Sequence, residues 1–466
     1  MARRQVLQRL KTLKMVHAAP ELRYLSTAAS PASQVLNVTP TKVSQLANGI
    51  RVASEDSGIP TLTVGMWIDA GSRFENDATN GVAHFLEHMA FKGTQKRSQL
   101  ELELEVENMG AQLNAYTSRE QTVYFAKCFR SDLERAVEIL SDILLNSKYG
   151  QAEIERERAV ILREMQEVEQ NLQEVVFDIL HAKAFEGSPL ARTILGPEEN
   201  IRSIQRPQLV EYVKTHYKGP LMVLAAAGGV DIKELTALAE KYFGQLDGTV
   251  PPSYFIPSQF RGSETYLIEE SMQLVYGALA VEGAGWKDPD NIPLMIANTL
   301  IGQWDRSQGA GVTAPSRLAL RLSGSDCQMF QAFNTCYKET GLWGVYFVCS
   351  PSAVKDMTMA IQDEWRHFCT TITDEDVERG KRLLKANMLL LLDGSTAICE
   401  DIGRQMLCYG RRIPLHELDY RIASVNGDVV KKVCQKFLQN QPPAIAAVGK
   451  SGVFEKYEDI RKRMSW

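Results

Sequence analysis

The chain has 466 residues, 44% of them apolar and 23% charged, with a formal net charge of −5. That is ample for two to four globular units, and the mild charge leaves no nucleic-acid footprint. No apolar run approaches the roughly 20 residues of a membrane span. Of eight cysteines, seven lie after residue 320 and none form Cys-x-x-Cys pairs. This suits packed thiols in a reducing compartment rather than a disulfide framework.

In chain order, the first distinctive segment is basic. Arg3, Arg4, Arg9, Lys11 and Lys14 precede the first acid, Glu21, with leucines and Val6 interspersed. This is the composition of a mitochondrial transit peptide, assigned to residues 1–25, with Arg23 shortly upstream of a cut near Ser26. Thr61–Asp69, rich in β-branched and aromatic residues, predicts a strand. Next comes His84-Phe85-Leu86-Glu87-His88, the inverted zinc-protease signature His-x-x-Glu-His. On a helix His84 and His88 fall about 40° apart and Glu87 about 60° from His84. Two imidazoles can therefore share one metal, with a carboxylate near enough to handle the proton of an attacking water. Asn80 can cap this helix and Gly93 can end it.

Gln121–Lys127 predicts a second strand; Leu133–Leu145 and Glu153–Leu180 predict helices. A two-histidine site needs a third protein ligand. The long second helix offers Glu153, Glu157, Glu164, Glu167, Glu174 and Asp178 within an arc of about 100°. Spacing alone does not choose among these acids. Gly248–Gly262, with Pro251, Pro252 and Pro257, reads as an extended linker.

The chain then repeats itself. Gly65–Gly71 is echoed by Gly277–Gly283, Thr122–Ala126 by Gly344–Val348, and Glu155-Arg156 by Glu378-Arg379. The offsets, 212 rising to 222 and 223, carry His84 and His88 onto Ile296 and Leu300 and Glu164 onto Asn387. The second half has kept the architecture and lost every metal ligand. The expected fold is α+β, as two homologous halves of layered β-sheet with segregated long helices. A zinc-binding peptidase half at 35–247 is followed by a linker at 248–262 and a half at 263–466 that binds no metal. His181, His216, His367 and His416 are scattered and predict no site, and Arg411-Arg412 predicts structural ion pairs.

Gly81–Thr94, Asn108–Glu120 and Glu155–Met165 together resemble the active-site segments of the pitrilysin-type metallopeptidases. The likeness continues through Ala297–Arg306, Leu392–Ser395, Ile398–Gln405 and Tyr409–Pro414, covering essentially everything after about residue 35. It implies Zn²⁺ held by His84, His88 and Glu164, Glu87 as general base, and Glu157 as a supporting carboxylate. It implies Glu174 and Asp178 as partners of a basic substrate residue, and Asn114-Ala115-Tyr116 as an edge strand that takes up the peptide. Within the family, the similarity is to the branch that cleaves basic presequences in the mitochondrial matrix as a heterodimer with a noncatalytic alpha subunit. Structural core subunits of respiratory complex III form its sister branch, and in vertebrates these typically lack the first histidine that His84 supplies here.

Overall fold

A computed structural model describes residues 39–250, 254–309, 311 and 314–466 of the chain. The basic segment 1–25 lies outside the described residues. Among these residues the strands are β1 (Lys42–Gln45), β2 (Arg51–Asp56), β3 (Thr61–Ile68), β4 (Gln112–Thr117), β5 (Thr122–Phe129) and β6 (Met222–Gly228), then β7 (Ser263–Ile268), β8 (Val275–Ala284), β9 (Gln303–Asp305), β10 (Cys327–Cys336), β11 (Thr340–Cys349) and β12 (Ala444–Gly449). They form two six-stranded sheets, ordered β1-β2-β6-β3-β5-β4 and β7-β12-β8-β11-β10-β9. Five strands of each match in order, with β2-β6-β3-β5-β4 answered by β7-β12-β8-β11-β10. The α+β fold of two related halves is therefore realised, with the two expected strands at Thr61–Ile68 and Thr122–Phe129.

Both faces of each sheet are buried, which is why the central strands read as nearly unbroken apolar runs. One face carries the half's own core: Val64, Met66 and Ile68 pack with Ile139 and Leu140 of the helix Leu133–Leu145. The other face is covered by a helix from the opposite half. Cys399, Ile402 and Met406 of Ser395–Tyr409 lie on Trp67, Val223 and Ala225. Val176, Leu180 and Ala184 of Leu172–Ala184 lie on Ala278, Ala280 and Ala446. The alanines of β6 and β12 leave room for these crossing helices. Gly403 allows the closest approach, because a Cβ there would strike the Trp67 indole.

A buried polar cluster joins the halves where two hairpin turns meet. Arg73 donates to Glu120 (2.6 Å) beside the β4–β5 turn and to both oxygens of Glu339 at the β10–β11 turn. It also bonds the Ile256 carbonyl (2.9 Å) and lies over the Phe255 ring. Lys338 pairs with Asp69. Farther along the same junction, Arg412 pairs across the halves with Glu55 and, within the second half, with Asp401, while Arg411 pairs at the surface with Glu417.

The structure departs from the sequence reading at the long acidic helix. Glu153–Leu180 is two helices, Gln151–Glu169 and Leu172–Ala184. Asn171 breaks them by capping the second with its side chain, which accepts the Glu174 N–H (3.5 Å). The shared arc of six acids therefore ends at Glu167.

Candidate metal centre

The signature occupies the helix Val82–Met89, whose buried residues Val82, Ala83, Phe85, Leu86 and Met89 anchor it in the first core. His84 and His88 instead face the helix Gln151–Glu169. The start is not capped as the sequence suggested. Gly81 is the N-cap, with φ 107° and no capping side chain. Asn80 instead donates its amide to Glu75 (2.8 Å) and to the Thr193 carbonyl (2.8 Å). Glu75 does the capping: one oxygen accepts the Gly81 N–H (2.9 Å) and the other the Ala83 N–H (2.7 Å). A carboxylate there satisfies orphan donors and complements the helix dipole. Sequence reasoning missed Glu75 because it lies outside the local capping window and reaches the helix only through the fold.

Burial pushes Glu75 up to about 7, against the N–H groups of Ala83 and Gly81 and the Asn80 amide, which favour its charge. A carboxyl with a folded pKa above its unfolded value binds its proton more tightly in the native state. Its contribution to stability therefore falls as pH rises from about 4.5 through about 7. Urea titrations across that window should show the stability difference between wild type and Glu75→Gln narrowing as pH rises, by up to about 1.4 kcal/mol per pH unit. A difference that is flat with pH would refute this assignment.

The two imidazoles meet edge to face, with centroids 4.7 Å apart. The Glu164 carboxylate reaches both, Oε2 lying 3.1 Å from His88 Nε2 and 3.7 Å from His84 Nε2. All three donor atoms fall within 4.8 Å of one another. Ligands about 2.0–2.2 Å from a tetrahedral ion stand roughly 3.3–3.6 Å apart, so the measured separations bracket that requirement. Two neutral nitrogens and one carboxylate, with a position left open, form a donor set suited to a catalytic divalent metal. Of the six candidate acids, Glu164 is the one whose oxygen joins both rings.

Glu157 supports the triad from behind, its Oε2 3.3 Å from His88 Nδ1 and its Oε1 2.7 Å from Lys92 Nζ. Burial disfavours charge on His88, but Glu157 and Glu164 outweigh it and raise the imidazole to about 9. A metal taken up at Nε2 must displace a proton. Arg158 pairs with Glu155 (3.0 Å) and also bolts the ligand helix down. It donates to the Ile201 and Ile204 carbonyls and lies over the Phe85 ring, behind the motif helix.

Glu87 opens onto a cleft bordered by His88, Phe91, Gln99, Asn114 and Ala115. Asn114 and Ala115 belong to β4, which ends its sheet and pairs only with β5 among the described residues. The Asn114 side chain accepts the Ala115 N–H (2.9 Å). Tyr116 turns away, packing on the core beneath the crossing helix, with its hydroxyl 3.4 Å from Glu400. Glu174 and Asp178 lie beyond the helix break, and Asp178 accepts from Arg119 (2.7 Å).

Among the described residues the second half holds no such arrangement. Ile296 and Leu300 are buried in its core. Gly380, at the offset of 223 from Glu157, faces them so closely that a Cβ would stand 2.9 Å from each side chain. The counterpart of the metal cleft is filled with hydrocarbon.

Comparison with known proteins accords with this asymmetry. Residues 51–198 match the family described as Insulinase (Peptidase family M16), and residues 203–384 match the Peptidase M16 inactive domain. The chain belongs to peptidase family M16. M16 proteins similar to it include the mitochondrial-processing peptidase subunit beta of Bos taurus, 60% identical over 95% of this chain and 91% of the relative. The same subunit of Homo sapiens is 59% identical over 96% and 92%. The human cytochrome b-c1 complex subunit 1, mitochondrial, is 47% identical over 99% and 96%. Among solved structures, a chain of complex III2 from Candida albicans, Inz-5 bound, shares the fold with a TM-score of 0.81 at 22% identity. That likeness covers 91% of this chain and all of the other. As an M16 protein with this donor set, the chain is a metallopeptidase.

Proposed function

We propose that the chain is the catalytic subunit of a mitochondrial zinc endopeptidase that removes basic presequences from imported precursors in the matrix. Its partner is a homologous, noncatalytic alpha subunit. The observation that carries this reading is the convergence of His84, His88 and Glu164 beside Glu87 in the half open to a cleft. Zinc, when bound, supplies Lewis acidity that polarises the scissile carbonyl and acidifies water. Glu87 accepts the proton of the attacking water and delivers it to the leaving amide nitrogen. Glu157 holds Nδ1–H of His88, which fixes the tautomer that presents Nε2. The free edge of β4 adds the substrate as a further strand, through backbone bonds indifferent to sequence.

Specificity then comes from charge. Glu174 and Asp178 attract a presequence that carries arginines and few acids. Because Asp178 already holds Arg119, a substrate guanidinium must share or replace that contact. Glu174→Gln should slow cleavage of a substrate with an arginine shortly upstream of the cut by about tenfold or more, the worth of a charge-assisted bond. The same substrate with alanine there should be nearly unaffected, and equal slowing of both would remove Glu174 from recognition.

The reading as a whole is tested by incubating a presequence-bearing precursor with the chain and its homologous subunit, then sequencing the product N-terminus. Cleavage at one position shortly after an arginine is expected. An intact precursor with zinc bound would sink the proposal. The relatives named as cytochrome b-c1 subunits favour a second reading, a core subunit on the matrix face of complex III, alone or alongside proteolysis. Co-purification with inner-membrane cytochromes after mild solubilisation distinguishes it. No helix among the described residues is long and apolar enough to cross a membrane.

A further inference from the structure

Lys92 follows the motif helix in a turn whose backbone is held on several sides. Its N–H donates to the Met89 carbonyl (3.2 Å), and the Gly93 carbonyl accepts from the Lys148 N–H (3.3 Å). Gly93, at φ +104°, takes a conformation that side chains rarely adopt. Thr94 donates its hydroxyl to the buried Asp142 (2.6 Å) and its N–H to the Arg97 carbonyl (2.7 Å). The ammonium therefore starts from a fixed base and reaches Glu157 Oε1 at 2.7 Å.

The other oxygen of that carboxylate is the one 3.3 Å from His88 Nδ1. Glu157 thus divides its two oxygens between a cation and a ring N–H, with its side chain only 10% exposed. The terminal torsion of a glutamate is broad and roughly two-fold, so one partner alone leaves it poorly defined. A second partner on the opposite oxygen fixes it. We infer that Lys92 is a positioning residue of the metal centre, clamping Glu157 so that His88 keeps Nε2 aimed at the ion. This rests on the metal site proposed above and extends it by one layer. Lys92 also borders the cleft, with 24% of its side chain exposed, so direct contact with substrate is the competing role.

Zinc release from the full chain into excess chelator separates these roles, because no substrate is present. Lys92→Met should release zinc about tenfold faster than wild type, the scale of losing an outer support of a ligand. Lys92→Arg should restore most of the difference. On a Glu157→Gln background, Lys92→Met should add nothing, as expected when one residue acts through the other. Unchanged release with reduced kcat/KM would make Lys92 a substrate contact, and an additive effect beside Glu157→Gln would mean it does not act through that carboxylate; either overturns the inference. Lys92→Gln provides a second variant if the methionine form folds poorly. A wild-type chain that takes up no stoichiometric zinc fails differently, removing the metal assignment itself.

Discussion

Glu87→Gln is expected to lower kcat/KM by about 10²- to 10⁴-fold while leaving zinc content and thermal unfolding unchanged. The amide keeps the shape of the side chain but cannot accept a proton from water. Glu87 shares the motif helix with both histidines, yet the donor set is complete without it, since His84, His88 and Glu164 cluster by themselves. Loss of turnover should therefore separate cleanly from loss of metal. Near-normal turnover with zinc in place would assign the base elsewhere.

The second large effect is on stability and lies far from the chemistry. Arg73 is 3% exposed and holds Glu120, Glu339 and the Ile256 carbonyl at once, tying both halves to the segment between them. Arg73→Ala strands the buried Glu120, while Glu339, exposed, can turn to water. Removing one partner of a buried charged pair costs about 3–5 kcal/mol, because the remaining charge stays desolvated. Arg73→Lys should recover only part of this, since an ammonium cannot reproduce the planar fork that meets Glu339 through both oxygens. Urea unfolding measures both variants. An Arg73→Ala loss below about 1 kcal/mol would mean the halves are held chiefly by their exchanged helices.

What the sequence disclosed, and what it withheld, follows from how local each feature is. His84, Glu87 and His88 share one helix, so their spacing alone placed them side by side. The repeat also carried His84 and His88 onto Ile296 and Leu300, which are buried in the second core. Glu164 required the family resemblance, because an acidic helix offers many carboxylates of equivalent spacing and only packing decides which one meets the rings. Asn171 looked compatible with a continuing helix, yet as a cap it ended one and began another. Glu75, Arg158 and Arg73 act through contacts distant in sequence or across the fold, and no periodicity reports those. The exchange of crossing helices was equally hidden: an apolar stripe shows that a helix is covered, not which sheet it covers.

On the reading proposed above, each chain holds one catalytic zinc between His84, His88 and Glu164. Elemental analysis of the purified full chain tests it most directly, with Glu87→Gln, His88→Ala and Glu164→Gln measured in parallel. One zinc per chain is expected in the wild type and in Glu87→Gln, and almost none in the two ligand variants. Stoichiometric zinc persisting in both His88→Ala and Glu164→Gln would contradict it.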